Sequence, residues 1–373
     1  MNEDLKWSKY DFTKIPFDDI VSVGQRTLLY RDLFTVSWLL GRFCNYRCSY
    51  CWPYARSDRK DHRPTELCLR TVDEIKRQAR SNGFNSFHFS LSGGEPTFHP
   101  GYLEILKHLA DDVENTNYTS IHMTSNCSRP IKWFDTYVEY AKPFHRASIT
   151  ASLHTEHVNT KEKMQEFADK LILCQEHDVQ ITINQVMVPE WFERDWENAL
   201  FFHEQGINVT LKPQSDPTAS KVVDGYTGDQ LKKLYNGMPQ RAYTESKRQW
   251  QDRPKPTFQI PQGVNGKNDY SVPWHMQVEF RDSKGEKWYM DQAERFNAFN
   301  FNKFKGWECN AGYQGIIIRE PDGSVKRSYS CHDVPLGNIE TGFRLFDRPA
   351  PCITESCVSS ADSKIPKRKM HGV

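Results

Sequence analysis

The chain has 373 residues, including 22 Phe, 16 Tyr and 10 Trp, which is enough core material for one large domain and a smaller one. Its net charge of +1 gives no electrostatic footprint for nucleic acid, and no apolar run reaches the ~18 residues of a membrane helix. The N-terminus lacks the features of a secretion signal, so we expect a cytoplasmic protein without a membrane partner. In that reducing compartment, the ten cysteines are expected to be thiols, metal ligands or catalytic groups rather than disulfides.

Short β-branched and aromatic runs alternate with stretches of helical periodicity between residues 34 and 213. Strands are predicted at 34–41, 86–92, 118–125, 146–153, 179–187 and 208–213. Helices are predicted at 65–83, 101–114, 130–141, 160–177 and 192–205. This alternation predicts an α/β fold with parallel strands joined by right-handed crossovers. Six such units predict a partial (β/α)6 TIM-type barrel.

The alternation ends after Lys212, and the next sixty residues or so support only a predicted helix at 228–237. Two hairpins are predicted at 277–291 and 315–330, the second with the turn residues 321-PDG-323. The final stretch is irregular and rich in cysteine, which predicts a small domain organised around a metal. The predicted organisation is an N-terminal extension (1–33), a core (34–213), a linker or insert with a hairpin (214–305) and the small domain (306–373).

Three cysteines fall in one short stretch, 43-FCNYRCSYCWPYARS-57, directly after the first predicted strand. A zinc knuckle needs four ligands, but Cys44, Cys48 and Cys51 are only three, and no Cys or His follows within the next ten residues. Three thiolates around a [4Fe-4S] cluster would leave one iron free for another ligand. The stretch follows the C-terminal end of a strand, where α/β barrels carry their chemistry.

The second predicted strand ends in 92-SGGEP-96, which we expect at the same rim. Gly93 and Gly94 permit close approach of the backbone to a ligand, and the Glu95 carboxylate can accept hydrogen bonds from an ammonium group.

The segment CNYRCSYC (44–51), with Tyr50 before the last cysteine, resembles the Cys-x-x-x-Cys-x-aromatic-Cys signature of radical S-adenosylmethionine enzymes. GGEP (93–96, ending in Pro96) resembles their second motif, which holds the methionine amino group. The resemblance implies that Cys44, Cys48 and Cys51 ligate three irons of a [4Fe-4S] cluster and that the fourth binds S-adenosylmethionine. Reduction would then give a 5'-deoxyadenosyl radical, which abstracts a hydrogen atom from the substrate.

The resemblance also implies further contacts with S-adenosylmethionine at the strand ends. Ser125 and Asn126 would touch the methionine carboxylate or the ribose, and Ser152 and Asn184 would reach the ribose. Tyr50 would stack near the adenine. The alternatives are polar residues that cap a strand-to-loop transition, and a tyrosine that packs under its loop.

Four further cysteines, Cys309, Cys331, Cys352 and Cys357, supply a complete ligand set near the C-terminus. The runs 309-CNAGYQGIIIREPDGSVKRSYSC-331, 336-LGNI-339 and 351-PCITESC-357 resemble the SPASM and twitch extensions of radical S-adenosylmethionine enzymes. A full SPASM domain has seven cysteines, so these four imply one auxiliary [4Fe-4S] cluster, as in a twitch-like domain. The alternatives are a zinc site, or three ligands and an open iron that binds substrate.

The resemblance implies an enzyme that oxidises a small molecule or modifies a peptide, with a flavodoxin- or ferredoxin-type electron donor. Cys127, after the third predicted strand, is a candidate catalytic thiol that returns a hydrogen atom, as in an epimerase; the alternative is a loop cysteine without a role. The opposing class of function is a non-catalytic protein in which both cysteine groups hold structural zinc.

Overall fold

The computed structural model describes residues 14–25, 32–52, 55–217, 221–238, 278–290, 301–319, 322–331, 335–357, 359, 362 and 365–370. The chain divides into two compact units. We call Trp38–Arg70 with Phe89–Arg253 the parallel-sheet unit, and Met1–Ser37 with Thr71–His88 and Pro254–Val373 the terminal unit. The domain boundaries proposed from the sequence remain predictions.

The strands are β1 (Ile20–Gln25), β2 (Leu33–Leu39), β3 (Ser86–Ser92), β4 (Tyr118–Ser125), β5 (Arg146–Leu153), β6 (Val179–Met187), β7 (Asn208–Pro213), β8 (Val278–Asp282), β9 (Lys287–Met290), β10 (Glu308–Cys309), β11 (Gly315–Ile318), β12 (Ser324–Lys326), β13 (Pro335–Asn338), β14 (Gly342–Phe343), β15 (Ala350–Pro351) and β16 (Lys367–Arg368). The α-helices are α1 (Thr65–Ser81), α2 (Tyr102–Asp111), α3 (Ile131–Ala141), α4 (Lys161–Glu176), α5 (Phe192–Glu204) and α6 (Gly228–Asn236). Each strand and helix predicted between residues 34 and 213 is present.

The parallel-sheet unit is an α/β arrangement. Its strands lie in the order β3-β4-β5-β6-β7, β7 is the last of the described strands in this sheet, and β4 to β7 pair in parallel. Buried and partly exposed residues alternate along β5 and β6. Helix α4 packs against β6 and α5 packs against β7, which covers one face of these strands. The pairing of the described strands does not close this sheet, and its curvature into a partial barrel remains a prediction.

The terminal unit is antiparallel. One sheet has the order β15-β10-β16-β1-β8-β9, so the predicted N-terminal extension contributes β1 to its middle. A second run joins β2, β11, β12, β13 and β14. The pairs β8–β9 and β11–β12 are the two predicted hairpins. The core of this unit is apolar and aromatic, and it includes Phe280, Phe301, Phe304 and three of the four late cysteines.

Parts of the predicted organisation lie outside the described residues, namely 239–277 and 291–300 of the linker or insert and Pro321 of the second turn. Among the described helices, none has the length and apolar character needed to cross a bilayer.

Candidate metal centre

The three early cysteines lie on one tight loop between β2 and α1. Two hydrogen bonds hold its ends together: Ser57 N donates to Arg42 O at 2.6 Å, and Cys44 N donates to Ser57 O at 3.2 Å. A turn follows in which Cys51 N donates to Cys48 O at 3.1 Å. Cys48 is buried, while Cys44 and Cys51 are partly exposed. The loop therefore gathers three thiols in a small, partly accessible space.

The electrostatics of this loop fit a metal centre. Burial raises the pKa of Cys44 to about 11 and that of Cys48 to about 12, and Cys51 also has a pKa raised by burial. The negative charges of Cys44 and Cys51 contribute to the raised pKa of Cys48. Three neighbouring thiolates are unfavourable alone, and a cationic metal centre removes that cost by holding each sulfur deprotonated.

The three early thiols do not form a compact set of ligand atoms. Metal ligands in proteins are mostly His, Cys, Asp and Glu side chains. Within the described ranges, the only group of three or more of these whose ligand atoms all lie within 4.8 Å of one another is Cys48, Glu156 and His157. Thiolates around one zinc lie about 3.8 Å apart, because tetrahedral Zn–S bonds are about 2.3 Å long. At least one pair of sulfurs among Cys44, Cys48 and Cys51 lies more than 4.8 Å apart, which is wider than the spacing around a single zinc ion.

The glycines of the GGEP segment let the end of β3 lie against the backbone that enters the cysteine loop. A Cβ at Gly93, whose φ is +143°, would come within 2.2 Å of Gly41 O, and one at Gly94 within 2.2 Å of Arg42 O. Gly94 N donates to Gly41 O at 2.9 Å, and Glu95 N donates to Phe43 O at 2.6 Å. The close approach expected of these glycines is thus made, in this structure, to the chain itself.

Glu95 is 1% exposed and joins the ends of β3 and β4. Its carboxylate accepts from Thr97 Oγ1 at 2.7 Å, Ser125 Oγ at 2.8 Å and Asn126 N at 2.6 Å. Burial raises the pKa of Glu95, and these donors act in the opposite direction. Pro96 begins a short 3-10 helix that Glu95 caps. The carboxylate expected to meet an ammonium group therefore already holds three neighbours in place.

Asn126 connects β4 to the cysteine loop. Its side-chain amide donates to Asn45 Oδ1 at 3.0 Å and lies 3.9 Å from Cys44 Sγ. Hydrogen bonds to a ligating sulfur orient the ligand and tune the metal it holds. Ser152 and Asn184 face each other in register at the ends of β5 and β6, and both are partly exposed. All four predicted strand-end residues belong to the parallel-sheet unit.

The loop after β5 also contacts the cysteine loop. Tyr50 Oη lies 2.9 Å from His154 Nδ1, so this tyrosine is anchored by its hydroxyl. Glu156 accepts from Ser49, and His157 stacks on Tyr46. These contacts of Glu156 and His157 were not predicted from the sequence. Their position beyond the C-terminal end of a parallel strand was the one available signal.

Cys127 is 1% exposed and has a φ of +51°. Its thiol lies 3.7 Å from Ser125 O, and Lys170 Nζ donates to its carbonyl at 3.3 Å. Burial raises the pKa of this thiol. Cys127 is thus a buried loop cysteine, and its role as a hydrogen donor stays a prediction.

The four late cysteines converge in the terminal unit, where each is 3% to 4% exposed. Cys309 ends β10, which pairs with β15 next to Cys352. The Cys352 and Cys357 thiols hydrogen-bond to each other, which lowers the pKa of Cys352 and raises that of Cys357. Burial raises the pKa of Cys331, and the charges of Cys309 and Cys352 add to this shift. The fold thus assembles one buried thiol group from distant positions in the sequence.

Two buried cations lie beside this group. Arg327 donates to Ala311 O at 3.0 Å, Pro351 O at 3.1 Å and Ala350 O at 3.4 Å, so it joins the segments next to Cys309 and Cys352. Lys367 Nζ donates to Asp362 O at 2.6 Å and lies over the Phe304 ring at 4.8 Å. Positive charge here favours the thiolate forms that a metal requires.

The parallel-sheet unit is an α/β domain that carries three thiols on one loop, with a glycine-rich turn packed against that loop. The family model of the radical SAM superfamily matches residues 38–203, which lie mostly in the parallel-sheet unit.

Similar solved structures include hexahistidine-tagged anSMEcpe with bound AdoMet, with a TM-score of 0.48 and 17% identity over 83% of this chain and 79% of that one. Native anSMEcpe with bound AdoMet and Kp18Cys peptide has a TM-score of 0.48 and 16% identity over the same shares. Coproporphyrinogen III oxidase from Escherichia coli, described as a radical SAM enzyme, has a TM-score of 0.35 and 13% identity over 54% of this chain and 50% of that one. No curated protein matches the chain.

Proposed function

We propose that this protein is a radical S-adenosylmethionine enzyme in which Cys44, Cys48 and Cys51 hold a [4Fe-4S] cluster with one open iron. The observation that carries the proposal is the three-thiol loop seated against the GGEP strand end inside the matched domain. When bound, the cluster and S-adenosylmethionine supply a 5'-deoxyadenosyl radical that takes a hydrogen atom from the substrate.

The chain's own residues position these groups. Glu95 fixes the ends of β3 and β4, which in turn aims the Asn126 amide at Cys44. We assign the partly exposed Ser152 and Asn184 to the ribose, because hydroxyl and amide groups at adjacent strand ends can hydrogen-bond its hydroxyls. Tyr50, with its hydroxyl held by His154, offers a fixed ring for the adenine.

The sheet face that carries Ser152 and Asn184 supports a polar substrate. Towards the amino ends of the strands, the next row on this face is Thr124, Thr150 and Thr182, and the row after it is His122, Ser148 and Gln180. All six are partly exposed. A closed barrel fills this position with Val, Ile and Leu. We propose a small molecule or peptide substrate that hydrogen-bonds, rather than a hydrocarbon.

We further propose that Cys309, Cys331, Cys352 and Cys357 hold one auxiliary [4Fe-4S] cluster in a SPASM- or twitch-like domain. The buried position of all four thiols and the neighbouring Arg327 and Lys367 support this assignment. A zinc ion with the same four thiolates is the alternative. Electrons for the first cluster would come from a flavodoxin- or ferredoxin-type donor.

The experiment is anaerobic purification and reconstitution with iron and sulfide, followed by iron analysis and a 5'-deoxyadenosine assay with S-adenosylmethionine and dithionite. We expect about eight irons per chain. Cys48→Ala should remove about four irons and abolish 5'-deoxyadenosine formation, and Cys309→Ala should remove about four irons while part of the activity persists. Cys174→Ala, a buried thiol of α4 outside both groups, is the matched control.

A colourless, zinc-loaded protein that forms no 5'-deoxyadenosine would refute the enzyme proposal. Unchanged iron content in Cys309→Ala would refute the auxiliary cluster alone.

A further inference from the structure

The four residues after β5, His154 to His157, contact the cysteine loop on both sides of Cys48. We call these four residues the clamp segment. They meet Tyr46 and Arg47 before Cys48, and Ser49 and Tyr50 after it. The middle ligand of the loop is therefore flanked by residues that are each held from outside.

Glu156 makes the strongest of these contacts. Its Oε2 accepts from Ser49 N at 2.9 Å, and its Oε1 accepts from Ser49 Oγ. A carboxylate that takes both donors of one residue fixes the backbone and the side chain of that residue together. Because Ser49 follows Cys48 directly, Glu156 restricts the direction in which the Cys48 thiol points.

His157 holds the other side of the turn. Its ring stacks on Tyr46 with centroids 4.0 Å apart and planes 6° apart, and its Nε2 accepts from Arg47 N at 3.2 Å. An Nε2 that accepts a hydrogen bond leaves the ring proton of a neutral imidazole on Nδ1.

A metal ion is the other occupant that this group of side chains suggests, since ligand atoms of Cys48, Glu156 and His157 lie within 4.8 Å of one another. Metal binding through His157 Nε2 would break the bond from Arg47 N. Both Glu156 oxygens are also already engaged by Ser49. The contacts present favour a hydrogen-bonded clamp over a second metal site.

We infer that the clamp segment is a positioning device that holds the turn around Cys48 in its metal-binding shape before the cluster is inserted. This inference rests on the proposed function, because it gives the clamp segment a purpose in cluster loading. A turn that is already ordered loses less conformational entropy when its thiols bind iron, so loading is faster.

The test uses the full chain without its cluster and measures hydrogen exchange of the Arg47 and Ser49 amides. Glu156→Ala should speed exchange at Ser49 by about tenfold, the loss expected for a charge-assisted hydrogen bond. Glu156→Gln should stay near wild type, because its amide oxygen still accepts from Ser49 N and the Ser49 hydroxyl can accept from its NH2 group. Glu176→Ala, at the exposed end of α4, is the matched control and should match wild type.

A second readout is the rate of iron uptake during reconstitution, which should fall in Glu156→Ala and recover in Glu156→Gln. Ser49→Ala removes only the hydroxyl, and combined with Glu156→Ala it should add little to the effect of Glu156→Ala alone.

Equal exchange rates in wild type and Glu156→Ala would overturn the clamp. Equal effects of Glu156→Ala and Glu156→Gln would also overturn it, because the effect would then come from the charge of Glu156 and not from its hydrogen bonds. Stoichiometric Co2+ binding to the cluster-free chain that is lost in His157→Ala but kept in Cys44→Ala would assign a metal site instead. Because these measurements need no S-adenosylmethionine cleavage, they separate failure of the clamp from failure of the proposed enzyme activity.

Discussion

The two cysteine groups are built in opposite ways. The early group takes three thiols from one eight-residue loop, and two of the three are partly exposed. The late group takes four thiols from Cys309 to Cys357, and all four are buried in or beside an aromatic core. A local, accessible set is suited to bind an exchangeable ligand, whereas a dispersed, buried set makes the metal part of the fold.

The charges beside the two groups also differ. The early group lies near the buried Glu95 carboxylate and near Glu156, whose charges raise the pKa of Cys44 and Cys48 respectively. The late group lies beside the buried Arg327 and Lys367, whose charges partly offset the burial and the thiol–thiol interactions that raise the pKa of Cys331 and Cys357. Positive charge therefore partly offsets the effect of burial at the late thiols, whereas negative charge adds to the effect of burial at the early thiols.

Removal of iron should give the largest difference between the two groups. Anaerobic chelation should expose the amides of β10, β15 and β16 to hydrogen exchange, because the four buried thiols lose the group that joins them. The amides of β4 to β6 should keep their protection, since their ladder does not depend on the early loop. Equal loss of protection in both units would contradict the idea that only the late metal is part of the fold.

The substitution Arg327→Met should have the next largest effect, which is on the stability of the late group. The substitution keeps the apolar stem but removes the donor to the buried Ala311 carbonyl and the donors of the partly buried bonds with Ala350 O and Pro351 O. We expect a loss of about 2–4 kcal/mol in the free energy of unfolding. Urea titration of the iron-loaded chain measures it, with exposed Arg348→Met as the matched control. A loss equal to that of the control would show that Arg327 does not stabilise the late group.

Glu95→Gln tests the corresponding hydrogen bonds beside the early group. A glutamine presents an NH2 group where the carboxylate accepts from the Asn126 N–H or from Thr97, so one donor faces another. We expect a loss of about 1–3 kcal/mol, together with faster hydrogen exchange of the Asn126 amide. The β10 amides should be unaffected; a change there would mean that the two groups are not independent in stability.

Much of this structure could be predicted because its signals are local. Alternation of apolar residues marked β5 and β6 to the residue, since one face of each is covered by helices and the other is polar. The three early cysteines lie within one loop, so their spacing in the sequence was enough to predict that they are close in space. Glu156 lies more than a hundred residues from Ser49 in sequence, and no local pattern connects them. Arg327 was missed for the same reason, because its partners meet only in the folded terminal unit.

The smallest expected effect is a dependence of stability on pH near the early group. His99 follows the GGEP segment, where its Nδ1 accepts from Gly101 N at 3.1 Å and its Nε2 lies 3.0 Å from Arg63 O. Burial, with a smaller contribution from His62, lowers the pKa of His99 to about 4. As the pH falls below about 6.5, the unfolded chain binds a proton that the folded chain does not, so stability is lost until the pH reaches about 4.

The free energy of unfolding should therefore be about 1.4 kcal/mol lower at pH 5.5 than at pH 7.5, because pH 5.5 is about one unit below the pKa of histidine in the unfolded chain. Urea titrations of the iron-free chain at the two pH values measure the loss, and His99→Gln should reduce the difference between them. An undiminished difference in that variant would assign the acid sensitivity to other groups. The proposed late ligands include no histidine. The same pH change should therefore leave the exchange protection of β10 in the iron-loaded chain nearly constant. The two groups would then also differ in their response to acid.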